Sequence, residues 1–324
     1  MKTHAIRINE YGGPDVLQLV EVEVPELGPG EARVRHTAIG LNFIDTYHRS
    51  GLYPGALPSG LGSEAAGIVE AVGDHVTDVK VGDRVVYTGM PADSYSEVRN
   101  FPAARLVQIP EGVSDEQAAA TLLKGLTAWY LLHHSYPVKP GDNVLLYAAA
   151  GGVGLLAAQW ARHLGVRVIG VVSTEEKAAL ARANGCAEII MANDDVPACV
   201  REMTAGVGVA AVYDSVGKDT FMASLDCLRP HGVMVTFGNA SGPVAPFAPA
   251  ELAKRHSLYV TRPVLFDFVT TRPQLLEACG KLFEVLGNGA VKVSINQRYS
   301  LRDAATAHRD LEARKTSGST ILVP

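Results

Sequence analysis

The sequence predicts an α/β protein in which a β-rich domain, split along the chain, carries an inserted doubly wound parallel sheet. Short alternating segments separated by glycine and proline fill the first 110 or so residues and are typical of paired strands. Strands alternate with helical patterns between residues 142 and 262, and a three-glycine turn lies at residues 148–154. We therefore expect the β-rich domain at residues 1–124 and 264–324, and the inserted domain at residues 125–263.

The first part of the chain predicts a small barrel followed by helices. Val34–Ala38 predicts one strand, and Gly67–Gly73 with Val79–Val86 predicts a strand pair joined through a Gly-Asp turn. Ser114 precedes acidic residues and a helical pattern, which indicates a capped helix start. A further helical pattern through Thr127–His133 leads into the inserted domain.

The glycine turn has the pattern of a dinucleotide-phosphate site. It joins a predicted strand, Asn143–Tyr147, to a predicted helix, Leu155–Leu164, and the apolar run Val168–Val172 completes a βαβ unit. Glycines let the backbone approach a pyrophosphate, while the N–H groups at the helix start attract it. A glycine-rich turn chosen only for helix–sheet packing is the alternative. The candidate cofactor-binding residues of the turn are Gly151, Gly152, Val153 and Gly154.

The remaining elements complete the inserted sheet and return to the first domain. Ala210–Asp214, Val233–Phe237 and the edge strand Ser257–Thr261 predict a sheet of about six strands. The tail is too short to fold alone, so we expect it to pack on the β-rich domain. Its predicted elements are a helix at Gln274–Leu286, a strand at Lys292–Ile295, a helix at Ala304–Glu312 and a strand at Ile321–Val323.

Composition excludes several classes of protein. The chain has 324 residues, 47% of them hydrophobic, and a formal net charge of -5 without a basic stripe, so we expect no nucleic-acid partner. Neither a spanning apolar run nor a signal-peptide core is visible, so we expect a cytoplasmic protein without a membrane partner. The four cysteines are widely spaced and form no CxxC, which argues against a disulfide framework or a cysteine zinc site.

Several segments of the chain together carry a resemblance to a known family. They are GIVEAVG with KVGDRVV, AAAGGVG, Asn42–Tyr47, Arg49–Tyr53, Leu122–Thr127, Tyr213–Gly217 and Tyr299–Ala304. The chain resembles the medium-chain dehydrogenase/reductase superfamily and within it the NADPH:quinone reductases of the zeta-crystallin branch, over essentially its whole length. The resemblance implies a GroES-like catalytic domain with an inserted Rossmann domain, hydride transfer from NADPH to a small-molecule quinone, and a homodimer.

The zinc-binding branch of this superfamily differs in its ligands. Where that branch carries a cysteine, this chain has Asn42, and where it carries Gly-His-Glu, this chain has Gly62-Ser63-Glu64. No cysteine occurs near Lys124, and the adjacent His133 and His134 lack a third ligand at a suitable spacing. We therefore expect no metal, and an acceptor such as a quinone that accepts hydride without a Lewis acid.

The resemblance also implies which residues form the catalytic site. Asn42, Asp45 and Tyr47 are expected on the nicotinamide side, with Tyr53, Lys124 and Thr127 close to the nicotinamide or the acceptor. Each has a structural alternative, since Asp45 can cap a helix beginning near Thr46, and Tyr53 can pack in a loop before Pro54. Further cofactor contacts implied by the resemblance are Asn42, Tyr130, Val216, Phe237, Gly238 and Asn239.

The end of the second strand of the inserted domain indicates which dinucleotide binds. An NAD-binding turn usually has Asp or Glu there, whereas this chain has Ser173, with Thr174 and Lys177 nearby, so NADPH is favoured. The resemblance adds Arg314 as a contact of the 2′-phosphate. Close relatives carry a tyrosine at the position of Ala192, which weakens the NADPH preference. Alternatively, Ser173 forms a capping box with Glu176.

Two other functions stay open at this point. An enoyl-thioester or enone reductase uses the same hydride geometry on a carbon–carbon double bond. A crystallin-type protein binds NADPH without turnover.

Replacing Lys177 with alanine tests the phosphate site. The change removes a positive charge near the expected 2′-phosphate, so it should raise the Michaelis constant for NADPH far more than that for NADH. Steady-state kinetics with both coenzymes measure the difference. Equal effects on the two coenzymes would remove Lys177 from the phosphate site.

Overall fold

The computed structural model describes all residues from Met1 to Pro324 and divides the chain into two compact units. The first unit comprises Met1–Lys124, Thr270–Gly287 and Val293–Pro324. The second comprises Gly125–Val269 and Asn288–Lys292. No helix combines the length and the apolar character that crossing a membrane requires.

The strands and helices are numbered here along the chain. The strands are β1 (Lys2–Ile8), β2 (Gln18–Glu23), β3 (Glu31–Leu41), β4 (Ser59–Gly60), β5 (Glu64–Val72), β6 (Arg84–Thr88), β7 (Val98–Pro102), β8 (Val107–Gln108), β9 (Asn143–Tyr147), β10 (Arg167–Val172), β11 (Cys186–Met191), β12 (Val209–Asp214), β13 (Leu228–Thr236), β14 (Tyr259–Thr261), β15 (Ile295–Ser300) and β16 (Ser319–Val323). The α-helices are α1 (Phe43–Ser50), α2 (Asp115–Tyr130), α3 (Gly152–His163), α4 (Glu175–Ala183), α5 (Val196–Met203), α6 (Phe221–Asp226), α7 (Ala250–Lys254), α8 (Leu265–Phe268), α9 (Arg272–Gly287) and α10 (Ala304–Glu312).

The second unit contains a six-stranded parallel sheet in the order β11-β10-β9-β12-β13-β14. Counted from β9, this is the order 3-2-1-4-5-6 of dinucleotide-binding folds. The prediction of a doubly wound sheet of six strands is confirmed, with β14 at its edge. The strand order reverses between β9 and β12, so a ligand crevice is expected beyond the carboxyl ends of these two strands.

The first unit is built mainly from antiparallel strands. A seven-stranded sheet runs β15-β16-β3-β5-β6-β8, with β7 paired to β3, and a three-stranded sheet runs β2-β1-β4. The core of this unit contains large side chains that are fully buried, among them Tyr87, Tyr95, Phe101 and Leu106. The two central strands, β3 and β5, bring the start of α1 close to the start of β5 because Ile39 pairs with Ala65.

The glycine turn between β9 and α3 is a tight connection with little room for side chains. Ala148 has a φ of 51°, and the Gly151 N–H donates to the Ala148 carbonyl at 2.9 Å. A Cβ at Gly154 would collide with the Ala148 carbonyl oxygen and lie 2.7 Å from the carbonyl carbon of Ala149. Only glycine fits there without a backbone shift, so α3 starts close against the end of β9.

Three predicted elements differ from the structure. Lys292–Ser294 is not a strand, because the Lys292 N–H and C=O bind the side-chain amide of Gln159 at 2.9 and 3.1 Å, and β15 begins only at Ile295. Residues 79–83 form a turn, with the Asp83 N–H donating to Lys80, instead of the start of β6. The helical pattern through His133 leaves α geometry at Leu131–Ser135, where a π-helical turn follows α2.

Two glycine-to-alanine substitutions distinguish the steric effect of close backbone contact at Gly154 from the ordinary effect of helix propensity. Gly154→Ala places a methyl group against backbone atoms, so it should lower the free energy of unfolding by roughly 1–3 kcal/mol. Gly280→Ala, in the exposed part of α9 with nothing within 4 Å of the new Cβ, should raise it by about 0.5–1 kcal/mol. Urea denaturation measures both. A stabilising Gly154→Ala would contradict the packing described.

Candidate active site

The first turn of α1 carries two of the residues expected at the site. α1 begins at Phe43 with Asn42 as its N-cap, so the expectation of a helix starting near Thr46 with Asp45 as its cap is wrong. Asp45 instead lies inside the first turn, where its Oδ2 accepts the Asn42 backbone N–H at 2.9 Å. A carboxylate in a first turn also interacts favourably with the helix dipole. Asn42 and Asp45 are therefore held against each other.

A buried carboxylate, Glu64 at the start of β5, is the centre of this region. Its Oε2 accepts from the Asn42 Nδ2 at 2.8 Å, and its Oε1 accepts from the Leu123 N–H at 2.6 Å. The Lys124 ammonium lies 3.6 Å from Oε2, and its Nζ is buried without a hydrogen-bond partner. Burial raises the pKa of Glu64, and the Lys124 charge with the two donors opposes that rise. Glu64 thus holds Asn42 and Lys124 in one place.

The Asp45 carboxylate is surrounded by donors. Besides the Asn42 N–H, it accepts from the Ser63 Oγ at 3.1 Å and from the Tyr95 hydroxyl at 2.9 Å. Burial raises its pKa to about 6, while the three hydrogen bonds and the charge of Lys124 act in the opposite direction. Asp45 is therefore mostly ionised at neutral pH and close to its titration range at mildly acid pH.

Several residues of this network were missed at the sequence level. Glu64 and Ser63 were noted only as replacements for zinc-branch residues, and nothing singled out Tyr95 or His308. Tyr95 contacts Asp45 across 50 positions and His308 across 213 positions of the chain. No local motif records such contacts. The only available signal was a histidine among apolar residues of the predicted helix at Ala304–Glu312.

The aromatic residues expected near the acceptor lie on and after α1. Tyr47 is buried and packs edge-on against Tyr53, with ring centroids 5.2 Å apart. The Tyr53 N–H donates to the Tyr47 carbonyl at 3.1 Å, which ties the following loop to the helix. Phe43 and His48 flank the pair at 5.6 Å from Tyr47 and 5.8 Å from Tyr53. The structure thus brings Tyr47 and Tyr53 together as one aromatic group.

In the second unit, the expected cofactor residues follow the carboxyl ends of neighbouring strands. The glycine turn follows β9, Ser173 follows β10, Val216 follows β12, and Phe237–Asn239 follows β13. This edge includes the reversal of strand order at which such folds bind ligands. The topology therefore places all four groups along the same edge of the sheet.

A fully buried carboxylate, Asp214 at the end of β12, orders two of these loops. Its Oδ1 accepts from the N–H groups of Val216 and Gly217 at 2.7 and 3.1 Å, and its Oδ2 accepts from the hydroxyls of Thr220 and Ser224. The Asp214 carbonyl also accepts the Phe237 N–H at 2.8 Å. Four side-chain bonds leave little freedom to the backbone at Val216.

The expected phosphate-binding residues lie at the start of α4. Thr174, and not Ser173, is the N-cap, because its hydroxyl accepts the Lys177 N–H at 3.3 Å, so the capping box of Ser173 with Glu176 is wrong. Ser173 and Thr174 are exposed. Ala192 lies beside them, since its N–H donates to Val172 at 2.8 Å. Ala192 is therefore adjacent to Ser173.

The other expected residues lie on α2 and in the tail. Tyr130 is buried and stacks on Phe268 at a centroid distance of 5.1 Å, and burial raises its pKa although a hydrogen bond with Thr127 opposes the rise. Arg314 is exposed just after α10, in the first unit. His133 and His134 pack against aromatic rings, His133 on Trp160 and His134 on Trp129.

The second unit fits a dinucleotide on its own geometry. Because residue 154 is glycine, no side chain at this position covers the first N–H groups of α3. The helix α3 is also long enough to have a helix dipole. Such a cradle suits a pyrophosphate.

Comparisons with known proteins agree with both units. The family of alcohol dehydrogenase GroES-like domains matches residues 28–111, and the family of zinc-binding dehydrogenases matches residues 152–279. Together with the fold, these matches define a medium-chain dehydrogenase/reductase.

Individual relatives show to which group of medium-chain dehydrogenases/reductases the chain is similar in sequence and structure. A quinone oxidoreductase of Pseudomonas aeruginosa is 52% identical over 321 residues, 98% of this chain and 99% of that protein. The crystal structure of the Escherichia coli quinone oxidoreductase complexed with NADPH has a TM-score of 0.97 and 48% identity, covering 99% of this chain and 100% of that chain. A 2-haloacrylate reductase of a Burkholderia species is 47% identical over 325 residues, 98% of each protein. This chain belongs to the quinone oxidoreductase family.

The name of the matched dehydrogenase family implies zinc, but the residues at this site do not fit that ion. Zinc prefers thiolate, imidazole and carboxylate ligands. Around Glu64 the neighbouring polar groups are the amide of Asn42 and the ammonium of Lys124, and Ser63 donates to Asp45. Nowhere in the chain do three His, Cys, Asp or Glu residues form a group that could hold a metal ion.

A double-mutant cycle tests the buried pair of Lys124 and Glu64. Lys124→Met leaves Glu64 buried without an opposite charge, so the free energy of unfolding at pH 7 should fall by roughly 3 kcal/mol. Adding Glu64→Gln removes the second charge, and the double variant should lose clearly less than the sum of the single variants. Urea denaturation gives the four values.

The exposed ion pair of Arg298 and Glu116, 2.7 Å apart, serves as the matched control. Arg298→Met and Glu116→Gln should be close to additive because water screens both charges. Additive losses at Lys124 and Glu64 as well would mean that the buried pair is not coupled.

Proposed function

We propose that this protein transfers a hydride from NADPH to a quinone without a metal ion. The reaction consumes one hydride and one proton for each quinone and yields the hydroquinone and NADP⁺. NADPH, when bound, supplies the hydride. The observation that carries the proposal is the site around Glu64, whose side-chain partners are the amide of Asn42 and the ammonium of Lys124 and not a set of metal ligands. Such a site suits an acceptor that is electrophilic by itself.

The residues proposed to hold NADPH come mainly from the second unit. The N–H groups at the start of α3 suit the pyrophosphate, and the hydroxyls of Ser173 and Thr174 with the charge of Lys177 suit the 2′-phosphate. Arg314 from the tail is proposed as a further phosphate contact. The residues proposed for the rest of the coenzyme are Asn42, Tyr130, Gly151, Gly152, Val153, Gly154, Val216, Phe237, Gly238 and Asn239.

The residues proposed for the reaction itself orient the reactants. Asn42 is held by Glu64 and is proposed to face the nicotinamide, and Tyr47 with Tyr53 offers an aromatic surface for a planar acceptor. Lys124 adds a positive potential that favours charge developing on an acceptor oxygen. Asp45 and Thr127 complete the proposed catalytic set. The proton comes from solvent or a nearby hydroxyl.

Reduction of an activated carbon–carbon double bond is a second candidate. The Burkholderia relative is a 2-haloacrylate reductase, and an acrylate also accepts hydride at carbon without a metal when its double bond is conjugated to a carbonyl group. The same residues serve both reactions, since in each case negative charge develops on a conjugated oxygen.

We further propose a homodimer in the cytoplasm. β14 lies at the edge of its sheet, and its Tyr259 is 61% exposed. Two such edges can pair about a two-fold axis. The cysteines Cys186, Cys199, Cys227 and Cys279 are all free thiols, which agrees with a reducing compartment.

A comparison of acceptors tests the proposed reaction. NADPH oxidation is followed at 340 nm with 1,4-benzoquinone, a 2-haloacrylate and a crotonyl thioester, without added metal. The highest kcat/KM is expected on the quinone, because its ring needs no Lewis acid to accept hydride. Turnover only on the acrylate or the thioester would replace the quinone as the substrate class. Tight NADPH binding without any turnover would favour a non-catalytic protein.

A further inference from the structure

A chain of four hydrogen-bonded side chains in the first unit connects α10 with α1. Arg49 Nη1 lies 2.9 Å from His308 Nδ1, His308 Nε2 lies 3.0 Å from the Tyr95 hydroxyl, and that hydroxyl lies 2.9 Å from Asp45 Oδ2. All four side chains are at most 2% exposed. At the outer end, Arg49 forms a bidentate pair with Glu312 at 2.7 and 2.9 Å. The network therefore runs from the end of α10 to the first turn of α1.

Only one arrangement of protons satisfies this chain. A guanidinium has donors and no acceptor, so His308 Nδ1 must accept from Arg49. The ring proton of a neutral His308 is then on Nε2, which donates to the Tyr95 oxygen. Burial and the Arg49 charge lower the pKa of His308 to about 3, which keeps the ring neutral. The single proton of Tyr95 is left to point at Asp45.

The consequence is that three donors converge on one carboxylate. The Tyr95 hydroxyl, the Ser63 hydroxyl and the Asn42 N–H all donate to Asp45. The charged groups around it are Lys124 of α2, Glu64 of β5 and Arg49 of α1, while Glu312 of α10 neutralises Arg49. Such a set of donors stabilises the ionised form, against the cost of burial.

Asp45 in turn fixes the residues proposed for the reaction. It holds the N-cap N–H of α1, and the side chain of the same N-cap residue, Asn42, binds Glu64. Tyr47 lies in the same short helix. A protonated Asp45 would hold the Asn42 N–H more weakly, and the first turn of α1 would lose part of its restraint.

We propose that Tyr95 and His308 are positioning residues of the reductase, which act through Asp45 to hold the first turn of α1, with Asn42 and Tyr47, in its working geometry. The inference deepens the proposed function and rests on it. Tyr95 and His308 do not touch the reactants. Their effect on turnover depends on the charge of Asp45, and so it depends on pH.

Tyr95→Phe and His308→Leu test the inference through pH profiles of kcat and kcat/KM between pH 5 and 9. Tyr95→Phe removes one donor from the ionised Asp45, so the limb that falls on the acid side should move up by roughly one pH unit. This corresponds to a loss of about three-fold at pH 6.5 that recovers above about pH 8. His308→Leu should move the limb in the same direction by less, because Tyr95 keeps its hydroxyl.

Two further variants separate positioning from packing. Gln at position 308 can accept from Arg49 and donate to Tyr95, so His308→Gln should keep the wild-type profile. Tyr87→Phe is the matched control, since Tyr87 is equally buried and bonds the buried His36 at 2.9 Å, away from Asp45. It should lower the thermal midpoint without moving the acid limb. Unmoved limbs in Tyr95→Phe and His308→Leu would overturn the inference, as would equal profiles of His308→Leu and His308→Gln.

A measurement without substrate distinguishes this inference from the proposed function. The backbone amide of Asn42 donates to Asp45, so its NMR chemical shift should titrate with a midpoint near pH 6. The midpoint should rise in Tyr95→Phe and stay unchanged in Tyr87→Phe. If the wild-type protein fails to reduce quinones, the proposed function fails, while a shifted midpoint still supports the network. An unshifted midpoint in Tyr95→Phe overturns the network even if quinones are reduced.

Discussion

The buried Glu64 carboxylate is the constraint on which the rest of the first unit's site depends. A carboxylate removed from water is stable only if hydrogen bonds and an opposite charge replace its hydration. The amide of Asn42, the N–H of Leu123 and the ammonium of Lys124 provide these partners from the N-cap of α1 and from α2. One charge on β5 therefore fixes the relative positions of two helices within this unit. A Cβ at Gly40 of β3 would collide with both the Ala119 carbonyl oxygen and the Glu64 carboxylate, so only glycine fits there.

The charge of the neighbouring Asp45 also depends on hydrogen bonds that oppose the effect of burial. Its three donors stabilise the ionised form, while full burial raises its pKa to about 6. The group is thus ionised at neutral pH with little margin, so that the loss of a single donor changes its charge in a measurable pH range. Glu64 has the Lys124 ammonium 3.6 Å from its Oε2, and that charge opposes the rise of the Glu64 pKa caused by burial. Two adjacent carboxylates in one buried region thereby take different tasks, one binding Lys124 and Asn42 and the other holding the helix start.

In the second unit the main constraint is that the backbone has to come close to a ligand. Gly154 permits α3 to start against β9, and Asp214 uses both carboxylate oxygens to fix the loop after β12. The glycine removes a steric barrier, whereas the aspartate restricts backbone freedom at Val216 and Gly217. Fixing the loop in advance lowers the entropic cost of binding a dinucleotide. The glycine instead lets the backbone come close to the ligand.

Local patterns predicted much of this architecture. β9 and α10 have the predicted bounds, Asn143–Tyr147 and Ala304–Glu312, because apolar periodicity is recorded in consecutive residues. Lys292 was wrongly assigned to a strand because its backbone partner, Gln159, lies 133 positions away.

The candidate site likewise contains residues that were expected from the sequence and residues that were not. Asn42, Asp45 and Lys124 came from resemblance to a family, and the structure places them around Glu64 and Ser63. Tyr95 and His308 complete the network through contacts between distant parts of the chain, and no local motif records such contacts.

We propose that protein charges, and not a metal ion, assist hydride transfer at this site. The most direct test is elemental analysis of the purified protein together with its NADPH-dependent turnover of 1,4-benzoquinone before and after treatment with a strong chelator. We expect far less than one zinc per chain in fully active protein and no loss of turnover on chelation. Stoichiometric zinc that is required for turnover would contradict the account.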